Sequence, residues 1–76
     1  LPEEFTMTEL QSLYETILQR SIDRRNFRRK MLSLGVLKDT NRRRTGLGHR
    51  APILYTFDEE QYSKALEAGF QASGFF

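Results

Sequence analysis

Residues 24–30, Arg24-Arg25-Asn26-Phe27-Arg28-Arg29-Lys30, hold four arginines, an asparagine and a lysine in seven positions. A guanidinium is a rigid fork of donors that fits a phosphate or the edge of a guanine. A carboxamide offers one donor and one acceptor in the geometry of an adenine edge. Residue types of this kind carry recognition of a polyanion rather than bond making. Base reading falls to Arg25, Asn26 and Arg29. Arg24 and Arg28 flank them toward phosphate, and Lys30 can bury its stem while its ammonium reaches a backbone. A second basic set follows in Asn41–Arg50, where Arg42, Arg43, Arg44, His49 and Arg50 can hold phosphate or enter an adjacent minor groove. For Arg24, Lys30 and Arg50, pairing with nearby carboxylates is an equal alternative.

These assignments require a helix over residues 23–35. Asp23 can cap its start by accepting unpaired backbone N–H groups, and Gly35 can close its end in the left-handed conformation. Phe27, Met31 and Leu34 recur at i, i+4 and i+7 and form one apolar stripe. On a wheel of about 100° per residue, Arg25, Asn26, Arg29 and Ser33 lie opposite Phe27, with Arg28 on the flank. The helix has an apolar back and a basic front.

The charge distribution agrees. The net formal charge of +2 over 76 residues conceals an asymmetry. Residues 1–19 carry four acids and no Lys or Arg, residues 20–50 carry eleven Lys or Arg against two acids, and residues 51–76 carry four acids and one Lys. A basic centre between acidic flanks marks a directional basic face. The length allows one small domain with a modest core, so residues 1–76 are read as one domain. The absence of cysteine removes disulfides and thiolate metal sites. No apolar run is long enough for a membrane span, and no signal-peptide pattern opens the chain. A start at Leu1 suggests a fragment of a longer protein. A cytoplasmic, nucleoid-associated location is the corresponding expectation.

The elements around the basic helix follow from pattern. Phe5-Thr6-Met7 suggests a brief edge strand. Thr8 with Gln11 matches a capping box for a helix that carries Leu10, Leu13, Tyr14, Ile17 and Leu18 inward and ends near Arg20. Gln11, Ser12, Glu15 and Gln19 face outward. Arg20 suits the negative end of that helix's dipole as well as it suits a DNA contact. Ser21-Ile22 forms a short turn, with Ile22 plugging the corner, which makes a helix-turn-helix. Val36–Thr40 is β-compatible, Asn41–Arg50 is a basic loop, and Ala51–Phe57 returns as a strand with Ile53, Tyr55 and Phe57 on one face. Asp58-Glu59-Glu60 opens a last helix with Tyr62, Ala65, Leu66 and Phe70 on its apolar side. Residues 71–76 are expected to fray, with Phe75 and Phe76 docking on this chain or on a partner. The fold class is α+β: a winged helix-turn-helix with a basic β-hairpin wing and a C-terminal helix and tail over 58–76.

Catalysis finds no support. His49 has no Cys, His or carboxylate at ligand spacing, the acids sit at helix starts where capping accounts for them, and Gly46-Leu47-Gly48 is followed by no P-loop lysine. No metal, cofactor or membrane partner is expected. Several strings go further: Phe5-Thr6-Met7-Thr8-Glu9-Leu10-Gln11, Leu13-Tyr14-Glu15, Asp23 through Lys30, and His49-Arg50-Ala51-Pro52 with Leu54-Tyr55 and Phe57. Together they resemble the C-terminal domain of the Nudix-related transcriptional regulators of the NrtR type, over roughly residues 1–58. The resemblance implies a bacterial regulator whose N-terminal Nudix-like domain senses a small-molecule effector and often lacks hydrolase activity. It implies a homodimer formed through that missing domain, and a winged helix that binds a palindromic operator in double-stranded DNA. Some such regulators, repressors among them, control NAD metabolism and respond to ADP-ribose; others control sugar utilisation. Two rival readings are a winged helix that meets an acidic protein partner and an RNA binder. The RNA binder lacks the exposed aromatic platform that stacking on single strands requires.

Overall fold

The computed structural model describes residues 2–45 and 51–76. Six elements follow in order: α1 (Met7–Leu18), α2 (Arg24–Leu34), β1 (Leu37–Arg43), β2 (Ile53–Phe57), α3 (Glu59–Glu67) and α4 (Ala72–Phe75). The strands form an antiparallel hairpin, and the core is Phe5, Leu10, Ile22, Phe27, Met31, Val36 and Tyr55.

The first helix begins two residues earlier than its sequence suggests. Thr6, not Thr8, is the N-cap. Its hydroxyl accepts the Glu9 N–H at 3.1 Å, and its own N–H donates to Glu9 Oε1 at 2.9 Å. The physical cause lies just upstream. Phe5 exchanges two backbone hydrogen bonds with Tyr55, at 3.0 and 2.7 Å. That single bridge takes up the pairing capacity of the edge, so the chain turns at Thr6 and Met7 is already helical. The expected edge strand is reduced to this bridge.

The displaced capping role leaves Gln11 for another task. Its amide donates to the Ile22 carbonyl at 2.9 Å, while Glu15 Oε2 accepts the Ile22 N–H at 2.9 Å. Two residues expected to face outward therefore clamp both polar groups of the inter-helix turn. α1 closes at Gln19, which takes the left-handed conformation with φ 56°. Ile22 is buried in the corner as expected. On α1, Leu10 is fully buried and Tyr14 and Leu18 pack on the core, but Ile17 is 62 % exposed and Leu13 is at the surface. Burial raises the Tyr14 hydroxyl pKa, and the nearby Tyr62 adds to the rise.

The second helix matches its sequence closely. Asp23 accepts the Asn26 N–H at 2.9 Å, and Gly35 closes the helix at φ 77°. Phe27 and Met31 have no exposed surface. β1 is longer than expected and takes in Asn41, Arg42 and Arg43 from the anticipated loop. Leu37, Lys38 and Asp39 pair with Phe57, Thr56 and Tyr55, and pairing resumes at Arg43 with Ile53. Four residue steps on β1 thus face two on β2, a bulge. Asn41 enters the left-handed region at φ 63° with its N–H on Asp39 Oδ1 at 2.7 Å, and the Thr40 hydroxyl bridges to the Leu54 carbonyl at 2.8 Å. Side chains of the turn-forming type carry the strand past the break.

Asp58 caps α3 by accepting the Gln61 N–H at 3.1 Å. Tyr62 and Ala65 pack inward, whereas Leu66 is exposed. The C-terminal residues are not frayed. After α4, the Phe76 ring lies 4.9 Å from that of Phe27 and 5.5 Å from that of Tyr14, between centroids. Arg20 and Lys30 donate to the Phe76 and Phe75 carbonyls, both at 2.6 Å. Phe76 docks on its own chain because α1 and α2 leave the edges of two aromatic rings uncovered between them.

The capping assignment is testable. Thr6→Ala is expected to lower unfolding free energy by about 1 kcal/mol. Thr8→Ala, made at an exposed first-turn position, is expected to change it by less than about 0.5 kcal/mol. Urea unfolding of both variants measures the difference, and the reverse order would restore the cap to Thr8.

Candidate nucleic-acid interface

With Phe27 and Met31 held in the core, the remaining faces of α2 are fixed in space. Arg24, Arg25, Arg28 and Arg29 are exposed, and Asn26 is half-buried. The Arg29 guanidinium donates to Asn26 Oδ1 at 2.5 Å. Two of the three predicted base readers are thereby joined into one hydrogen-bonded unit, and the Asn26 amide hydrogens keep their donor capacity. The third, Arg25, lines a cleft of about 620 Å3 with Asp23, Arg24 and Arg28 at the start of the helix.

A second groove, of about 290 Å3, runs between the start of α1, the start of α2 and the hairpin. Its basic residues are Arg24, Arg28 and Arg43, with Thr8, Pro52 and Ile53 on its walls. Three arginines from two elements converge on one concavity, the arrangement expected of a phosphate-binding surface. Arg43 is braced there by a 2.8 Å hydrogen bond to the Ala51 carbonyl. The convergence requires the bulge, which returns Arg43 to register with Ile53 after Asn41 and Arg42 leave the ladder.

Other predicted contacts are engaged within the chain. Arg42 pairs with Glu4, and Arg44 pairs with Glu9. Among the described residues, Arg24 and Lys30, for which carboxylate pairing was an equal alternative, form no such pair, and the pairs fall at Arg42 and Arg44 instead. Lys30 donates to the Phe75 carbonyl, and its ammonium lies 5.6 Å from the Phe75 ring centroid, because its position beside Phe27 on the helix wheel directs it toward the tail. His49 and Arg50 lie outside the described residues. Sequence reasoning missed Thr8, which it assigned to a cap, and missed Glu4 and Glu9 as partners of the wing. The capping-box pattern Thr6…Glu9 was present as a signal, since Glu serves at the third helical position as well as Gln does.

Glu9 is the most constrained carboxylate of the site. The Thr6 backbone N–H holds its carboxyl below the usual glutamate range; partial burial opposes this, and the Arg44 guanidinium reinforces it.

A helix pair whose second member shows a basic front, followed by a hairpin that shares a groove with that helix, defines a winged helix DNA-binding domain. The chain belongs to the NrtR DNA-binding winged helix domain family, whose sequence model matches residues 1–57. It is 39 % identical over 62 residues, 82 % of this chain, to the ADPR responsive transcriptional repressor NtrR of Acinetobacter baylyi. The aligned part is 24 % of that repressor's length, so the chain spans about a quarter of this relative. The matched family region ends with β2, and α3 and α4 follow it.

The lowered Glu9 pKa fixes the sign of a pH effect. A carboxylate depressed in the folded state stabilises above its unfolded value, and that contribution is lost as pH falls through the folded value. Glu9→Gln is therefore expected to lower the melting temperature at pH 7. The gap from the parent should close as pH drops below about 4. A gap independent of pH would show that the charge of Glu9 does not contribute.

Proposed function

We propose that this chain is the sequence-reading DNA-binding domain of a larger bacterial transcriptional regulator, and that its role is binding rather than catalysis. α2 enters the major groove, which admits a helix of this width. Arg25, Asn26 and Arg29 face the base edges. Arg24, Arg28 and Arg43 hold the sugar–phosphate backbone. His49 and Arg50 add contacts to the backbone or the adjacent minor groove. The observation that carries this reading is the groove shared by Arg24, Arg28 and Arg43, since it aligns the front of α2 and the stem of the wing toward one polyanion.

The wider protein acts as a homodimer through a domain outside residues 1–76 and binds a palindromic operator in the cytoplasm, with the nucleoid. The relative named above is ADPR responsive by its description; a small-molecule effector of that class, sensed by the other domain, is the corresponding reading here. The repressor sense follows from the same relative.

Binding of the full-length protein to duplex DNA from its own upstream region, against shuffled duplex at two salt concentrations, tests the proposal. Preference for the native duplex and affinity falling steeply with salt are expected. Asn26→Ala should cost on the order of 1–3 kcal/mol on the native duplex and relax preference at one position. Arg43→Ala should weaken native and shuffled duplexes alike. Equal losses on both duplexes for both variants would show that α2 does not read bases.

A further inference from the structure

The three arginines at 42–44 are not equivalent. Arg43 lines the groove with Arg24 and Arg28, whereas Arg42 and Arg44 are each paired with a glutamate. Glu9 lies in the first turn of α1, and Glu4 in the segment that leads into it. That segment is pinned to the hairpin by the two Phe5–Tyr55 backbone hydrogen bonds. Glu9 is held further by the Thr6 N–H at 2.9 Å. Arg44 is held at its backbone, where its N–H donates to the Pro52 carbonyl at 3.0 Å. Partners fixed in this way give up little freedom on pairing.

The side chains of Arg42 and Arg44 remain 64 % and 39 % exposed. Exposed pairs of this kind contribute little to stability. Their consequence lies in the charge shown to an approaching duplex. Sequence-independent affinity grows with the number of phosphates neutralised, and discrimination depends on how far base contacts exceed that background.

We propose that Glu4 and Glu9 are positioning residues of the DNA interface: they neutralise Arg42 and Arg44, so that Arg43 alone among these three arginines neutralises phosphate. The effect is to lower the sequence-independent part of binding and sharpen discrimination. The proposal rests on the DNA-binding role of the wing argued above.

The test is the dependence of log affinity on log salt for the full-length protein on a random-sequence duplex. In Glu4→Gln/Glu9→Gln, glutamine at position 9 can accept the same Thr6 N–H and preserve the capping box. A melting curve checks that the variant is folded. Releasing two arginines should steepen the slope by up to about 1.8, equivalent to a roughly tenfold larger loss of affinity between 50 and 200 mM salt. Arg42→Ala/Arg44→Ala made in the Glu4→Gln/Glu9→Gln background removes both partners of each pair and should restore the parent slope. Glu3→Gln/Glu59→Gln makes the same charge change at acids that pair with no arginine among the described residues, and should leave the slope unchanged. An unchanged slope in Glu4→Gln/Glu9→Gln would overturn the proposal. So would a slope in the fourfold variant flatter than the parent's, which would show those arginines already on phosphate in the parent. A parent that binds no duplex at low salt would defeat the DNA reading itself and this proposal with it.

Discussion

Burial of Phe27 fixes the orientation of everything that follows. A helix carrying four exposed arginines has no electrostatic reason to lie against its own domain, since like charges repel and arginine is costly to desolvate. It is held because one side of it, Phe27 and Met31, has no solvent-exposed surface. Phe27 contacts the Tyr14 ring at 5.8 Å between centroids and the Phe76 ring at 4.9 Å, so elements from both ends of the chain close over it. Full burial of two such side chains contributes on the order of 3–6 kcal/mol, a large fraction of what a domain this small can hold. With the back fixed, the helical repeat alone sends Arg25 and Arg29 outward.

The polar frame around that contact is equally local in origin. The inter-helix turn has no glycine, yet both backbone groups of Ile22 are satisfied by Gln11 and Glu15 from α1. Each helix of the helix-turn-helix starts on a side-chain oxygen, Thr6 for α1 and Asp23 for α2. Asp23 caps a helix, Glu9 completes a capping box, and Glu4 and Glu9 face wing arginines, while the four arginines of α2 stay exposed.

Much of this was legible in the sequence. The basic helix was readable from Asp23 to Gly35 because its cap, stripe and stop all agree. The hairpin was readable from the alternation in Ile53–Phe57 on one side of a basic segment. Three features were not. Thr6…Glu9 and Thr8…Gln11 both match a capping box, and the choice between them rests on a tertiary bridge, Phe5 to Tyr55, that no local propensity encodes. β1 extended through Asn41 because a bulge stabilised by Asp39 and Thr40 side chains let a loop-like stretch rejoin the ladder. The tail ordered because Phe76 filled a gap between helices, a matter of volume rather than pattern. At the site, the sequence identified the arginines but could not sort them. Which of Arg42, Arg43 and Arg44 meets a carboxylate depends on where Glu4 and Glu9 lie across the fold, 35 to 38 positions away along the chain.

We propose that the front of α2 and the groove shared by Arg24, Arg28 and Arg43 are the face this domain turns to DNA. The most direct measurement is a nuclear magnetic resonance titration of the isotope-labelled full-length protein with a duplex from its upstream region, following arginine side-chain and backbone amide signals. The largest shifts are expected on Arg24, Arg25, Asn26, Arg28, Arg29 and Arg43, with Leu13, Ile17 and Leu66 unmoved. Shifts concentrated on α1 and α3, with the α2 arginines unmoved, would contradict it.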